Sequence, residues 1–165
     1  MKLNDRPSEW LRQSSPISFI LLIVAASFLV LAPYALLLSL FPVLAPGPGS
    51  TVPKYGVFVQ ISLGVLLAPF LETAVFQALP IELLSRKTVV GWPVIILVSS
   101  VFFGAAHHYS KGYMIAAFLI GVVFAYAYLV RRRDGGRPFL LVFAAHALRN
   151  SVSLTLFALG LVKGL

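Results

Sequence analysis

The side chains able to do chemistry in this chain are few, and they stand where such groups are costly. Glu72, His146 and Arg149 lie inside long apolar runs, His107 and His108 close a third run, and Asn150 follows Arg149. An ionisable group in hydrocarbon costs several kcal/mol unless it is paired or wet. One carboxylate, several imidazoles and an amide on separate segments are therefore expected to converge in a polar cavity. His146 and Asn150 are spaced i, i+4, so they share a helix face and can address one substrate group together. Thr73 and Gln77 have the same spacing, and Glu72 sits about 100° round the helix from Thr73, which still allows it to face inward.

Plainer roles exist for each of these groups. Glu72 could be a bundling residue hydrogen-bonded to a neighbour, and His146 with Asn150 could be the polar glue that joins membrane helices. His108, followed by Tyr109, reads as interfacial. One Glu and two His would also make a three-ligand zinc site with an open fourth position, although no His-Glu-x-x-His motif is present. The absence of cysteine excludes disulfides, thiolate nucleophiles and Cys-bound metals.

The elements that must position these groups follow from composition. Of 165 residues, 59% are hydrophobic and 11% charged, against about 25% charged in a soluble domain. Apolar stretches of about eighteen residues or more recur, each long enough to cross roughly 30 Å of hydrocarbon at about 1.5 Å per residue. The expected fold is all-α, a polytopic membrane bundle of about five helices with the site in its core. Residues 1–56 read as a polar head, a first span and a loop, and 57–165 as the core that carries the site. The first run, Ile17 to Leu44, is too long for a signal peptide and should kink near Pro33. Pro46 to Pro53 is a loop. The further helices are expected over Val57–Leu79, Val89–Ala106, Tyr113–Val130 and Pro138–Val162.

The net charge of +8 comes from basic residues scattered between the apolar runs, which reads as topology signal and anionic-lipid contact and not as nucleic-acid binding. Five spans put nine Lys and Arg on one side (Lys2, Arg6, Arg12, Arg86, Lys87, Arg131, Arg132, Arg133, Arg137) and three on the other (Lys54, Lys111, Lys163). The N-terminus is then cytoplasmic. Measured from Arg86 and Arg137, Glu72 lies roughly 20 Å deep and His146 roughly 13 Å, whereas a helix starting at Val89 carries His107 to roughly 30 Å.

Ala68-Pro-Phe-Leu-Glu-Thr-Ala-Val-Phe-Gln77 resembles the Glu-Glu-x-x-x-Arg motif of the CAAX prenyl protease type II and Abi family of glutamic intramembrane proteases, with Glu72 at its first Glu. Phe103-Gly-Ala-Ala-His107 resembles the family's Phe-x-x-x-His, and His146-Ala-Leu-Arg-Asn150 its His-x-x-x-Asn. The three stand in the family's order over about Leu66 to Ser151. The resemblance implies that Glu72 and His107 polarise a water, that His146 and Asn150 stabilise the oxyanion, and that no metal is needed. It implies a membrane-embedded or lipid-anchored peptide substrate, and a prokaryotic inner-membrane setting. Thr73 and Gln77 replace the family's second Glu and its Arg, and are expected to substitute a neutral hydrogen bond for an ion pair.

Overall fold

A computed structural model describes residues 6–40, 56–86, 90–108, 110–133 and 135–161. Among these the chain is all-α: α1 (Arg6–Gln13), α2 (Pro16–Leu29), α3 (Ala32–Leu40), α4 (57–85), α5 (Trp92–Ala106), α6 (Lys111–Arg132) and α7 (Pro138–Ala158). Four stretches are long and apolar enough to cross a membrane: Pro16–Leu37, Gln60–Ser85, Lys111–Arg132 and Pro138–Ala158. Large apolar side chains such as Leu63, Leu71, Leu97 and Phe102 are about half exposed on their outer faces, as a lipid-facing surface requires. The chain is an integral membrane protein.

The expected first helix breaks before Pro33. Leu31 N–H turns back to Phe28 O, and Ala35 N–H resumes the helical pattern to Leu31 O. Pro33 has no N–H for the carbonyl four residues earlier, so α2 and α3 join at a bend. Residues 41–44 of that expected run, the Pro46–Pro53 loop and Val162 lie outside the described residues.

The head holds a helix that its polarity did not suggest. Arg131, near the end of α6, donates from Nη1 to Arg12 O (2.8 Å) and from Nη2 to Ser14 O (2.6 Å). Its guanidinium also lies 4.3 Å over the Phe19 ring. Ser15 then caps α2, its Oγ accepting the Ser18 N–H, with Pro16 in the first turn.

Helix α4 departs most from expectation. It runs through Pro80 to Ser85, and two of its stretches, Gln60–Leu67 and Thr73–Ala78, are π-helical. Each is followed two residues later by a proline, Pro69 and Pro80. A proline ring clashes with the carbonyl four residues back, and the wider π turn accommodates it. The carbonyls released in this way are taken up from other helices: Asn150 Nδ2 donates to Gly64 O (2.9 Å) and Ser99 Oγ donates to Phe76 O (2.7 Å). Such repair from neighbours is what lets proline stay inside a membrane helix.

Helix α5 begins at Trp92 and has 15 residues, or about 22 Å, which is shorter than the four stretches long enough to cross a membrane. α6 packs closely along it. An added Cβ on Gly104 would come within 2.9 Å of Met114 O, and one on Gly121 within 3.2 Å of Ser100 Cα. At the other end of the bundle Glu82 joins α4 to α6, accepting from Arg132 Nε (3.0 Å) and Tyr128 Oη (3.3 Å).

Candidate active site

Glu72 stands in the short α-helical stretch Ala68–Glu72 between the two π segments, and π turns commonly mark functional positions. Its Oε2 lies 3.5 Å from His107 Nε2 and 3.5 Å from His146 Nε2. Three groups carried by α4, the end of α5 and α7 therefore meet at one carboxylate oxygen. His107 reaches this depth because α5 starts at Trp92 and not at Val89, which removes roughly 5 Å from the expected height. His146 reaches it because α7 starts against the middle of α4: Phe139 and Phe143 pack edge-on against Phe70, with centroids at 5.3 and 5.7 Å. Arg137 is thus not at the level of Arg86, which accounts for the mismatch in depth expected from the sequence.

His107 ends α5, and its neighbour His108 is exposed, so the two adjacent imidazoles are separated by burial. His107 Nδ1 is 2.7 Å from Phe103 O. A carbonyl only accepts, so that nitrogen carries the proton and a neutral ring turns its Nε2 lone pair toward Glu72. His146 is oriented the other way. Its Nδ1 is buried with no partner, among the rings of Phe124 (4.8 Å) and Phe103 (5.7 Å). Its proton therefore belongs on Nε2, where an acceptor exists. Phe103, 2% exposed, holds both rings, since it also lies 4.7 Å from His107.

Asn150 is one turn beyond His146 on α7, but its amide is engaged by Gly64 O, and its Oδ1 lies 3.4 Å from Arg149 Nη1. It is therefore not joined directly to the Glu72 cluster by any hydrogen bond among the described residues. The Gly64 bond has a local cause: Ala68 N–H goes to Leu63 O, and Pro69 has no N–H to offer.

The expected bond between Thr73 and Gln77 does not form. Both are fully buried, yet Thr73 Oγ1 and Gln77 Nε2 have no partner, and Gln77 pairs instead with Ser99, Oγ to Oε1 at 2.7 Å. The π segment explains this, because it alters the i, i+4 stacking on which the expected bond depended. Ser99 Oγ has a single proton to share between Phe76 O and Gln77. Turning the Gln77 amide over would let Nε2 donate to Ser99 and free the hydroxyl for the carbonyl.

Ser99 and Gly64 were not singled out in the sequence. The Ser99-Ser100 pair in an apolar run was the available signal for the first. Pro69 was the signal for the second. Among the described residues no group of three or more His, Cys, Asp or Glu has an arrangement able to hold a metal ion.

Neither the curated proteins nor the solved structures include a match to the chain. The family described as Type II CAAX prenyl endopeptidase Rce1-like matches residues 54–152. That span reaches further toward the N-terminus than the three motifs, takes in the whole of α4, and contains Glu72, His107, His146 and Asn150. The chain belongs to the Rce1-like type II CAAX prenyl endopeptidase family.

Proposed function

We propose that the chain is an intramembrane endopeptidase that hydrolyses a peptide bond of a membrane-embedded, lipid-anchored or C-terminally tailed substrate. One observation carries the reading: a single carboxylate oxygen in an apolar span is flanked at 3.5 Å by two imidazole nitrogens from other helices. Glu72 and the His107 Nε2 lone pair are both acceptors, so a water between them would donate one proton to each and present its oxygen to a scissile carbonyl. Glu72 takes the proton as the water oxygen bonds to the carbonyl carbon. His146 Nε2–H, together with the second Nδ2–H of Asn150, donates to the oxyanion that forms. As the C–N bond breaks, Glu72 returns the proton to the leaving amine, which yields one free acid and one free amine.

The reaction needs no metal and no nucleic acid. The setting we infer is a prokaryotic inner membrane with the N-terminus in the cytoplasm, where surrounding lipids contact the exposed apolar faces. The test is comparative proteomics of membranes holding the native chain or Glu72→Gln. A precursor should accumulate in the variant and carry a peptide bond that the native chain cuts. Identical membrane proteomes would remove the proposal.

A further inference from the structure

Among the groups around Glu72, His107 stands where the backbone holds it least. It follows the last residue of α5, with φ −95° and ψ 46° outside the helical region, and the chain reverses after it into α6. The contact of its Nδ1 with Phe103 O fixes one atom of the ring but not its tilt, because a ring tethered at Cβ and Nδ1 still swings about the line that joins them. That swing carries Nε2 toward or away from Glu72 Oε2, which lies 3.5 Å from it. A displacement of about 1 Å in such a constellation costs about a hundredfold in rate.

Two aromatic rings oppose the swing. Phe103, one turn back on α5, lies 4.7 Å from the imidazole, and Tyr113, in the first turn of α6, lies 5.2 Å from it at an interplanar angle of 61°. Both separations are those of favourable aromatic pairs. Tyr113 is in turn fastened through the peptide unit that joins it to Gly112, and fastened at both ends. Its N–H donates to Ser110 Oγ at 3.1 Å, and the Gly112 carbonyl accepts from Tyr34 Oη at 2.9 Å. The first bond is a helix N-cap. The second comes from α3, 78 residues away in the chain, and both of its partners are buried, where water does not compete for it. Tyr34 follows Pro33, so the bend between α2 and α3 sets where its phenol points. It also lies outside residues 54–152, so the span that matches the family does not include it.

We infer that Tyr113 is a positioning residue for the proposed reaction: pinned by Tyr34 and Ser110, its ring holds His107 with Nε2 aimed at the Glu72 oxygen. This rests on the endopeptidase reading and extends it to the first spanning segment. Tyr34 then contributes to turnover through Gly112, Tyr113 and His107 in sequence, without touching substrate.

The test reads the imidazole directly. The chain has three histidines, and His108→Gln removes the exposed one. Nitrogen-15 spectra of that full-length chain in phosphatidylcholine nanodiscs, at about pH 8.5 and so above the ordinary imidazole range, then report on His107 and His146 alone. His107 should give one sharp set of signals, that of the ring protonated on Nδ1. Tyr113→Leu should broaden this set and move it toward the average of the two tautomers. Tyr34→Phe, which removes a single oxygen, should do so in part, and Tyr113→Phe, which keeps the ring, should leave it sharp. Turnover of the precursor identified with Glu72→Gln should fall at least about tenfold in Tyr113→Leu, in kcat and with KM within about twofold of the native value. Melting temperatures identify a misfolded variant, and if Tyr113→Leu is one, Tyr34→Phe still decides. Sharp, unmoved His107 signals in Tyr113→Leu or Tyr34→Phe would overturn the inference, as would loss of the sharp set in Tyr113→Phe or a loss of turnover carried by KM. An equal change in the His146 signals would mean that the whole bundle had shifted, and would overturn it too. Since the spectra need no substrate, failure here leaves the role of Glu72 to the membrane proteomes.

Discussion

The two imidazoles that face Glu72 are not equivalent, and the difference lies in what each places behind its ring. His107 has a carbonyl behind it and presents a lone pair, while His146 has only aromatic rings behind it and presents a proton. One is arranged to help accept a proton from water, the other to donate to an oxyanion. Glu72→Gln keeps the shape but removes the proton acceptor, so turnover should fall by about 10²- to 10⁴-fold while detergent thermal stability stays within a few degrees. A Gln variant with near-native turnover would end the mechanism. Activity should also persist after exhaustive treatment with a strong chelator, since no step needs a Lewis acid, and loss that zinc restores would favour the three-ligand alternative. Most of this residue set was legible beforehand, because Glu72, His107 and His146 stand out wherever the surroundings are apolar. Of the two adjacent histidines, His108 reads as interfacial and is the exposed one.

Helix α4 shows how an element can change the meaning of its residues. Pro69 and Pro80 widen the helix on either side of Glu72 and expose two carbonyls, which Asn150 and Ser99 then cover. Spacing rules written for 3.6 residues per turn do not hold across such a stretch, which is why a Thr73–Gln77 bond was expected and a Gln77–Ser99 contact is found. A double-mutant cycle of Gln77→Leu and Ser99→Ala should therefore show a coupling above about 0.5 kcal/mol in detergent stability, while Thr73→Val and Gln77→Leu should combine additively. The reverse pattern would restore the expected pairing. Asn150 has two possible duties, and Pro69 separates them. Pro69→Ala should return an in-helix partner to Gly64 O, so Asn150→Ala should destabilise that background less than the native one. If Asn150 also serves the oxyanion, its loss of turnover should remain in both backgrounds. With His146→Ala that loss should be strongly non-additive, as for groups that act as a unit.

At the scale of the whole molecule, the short α5 reconciles four full spans with an odd number of passes. It starts at Trp92, where Arg133 lies 5.4 Å from the indole centroid, and the chain reverses after His107 into α6. Length and hydropathy alone made it a fifth span; its actual end point is set by packing at Gly104 and by the backbone turn at His107. Because the chain still reverses there, the count of basic residues still predicts an N-terminus in the cytoplasm and a C-terminus across the membrane. The lack of native cysteine makes this directly measurable, because a single introduced thiol is then the only one that reacts. Glu9→Cys in α1 and Leu161→Cys beyond α7, both at exposed positions, should label from opposite sides of sealed right-side-out vesicles. A membrane-impermeant maleimide should modify the Leu161 variant at once, and the Glu9 variant only after detergent opens the vesicle. Labelling of both from one side would mean that the α5 reversal does not count as a crossing. The basic clusters after α4 and α6 would then no longer share a face with the N-terminal head, and the docking of Arg131 onto Arg12 and Ser14 would be contradicted with them.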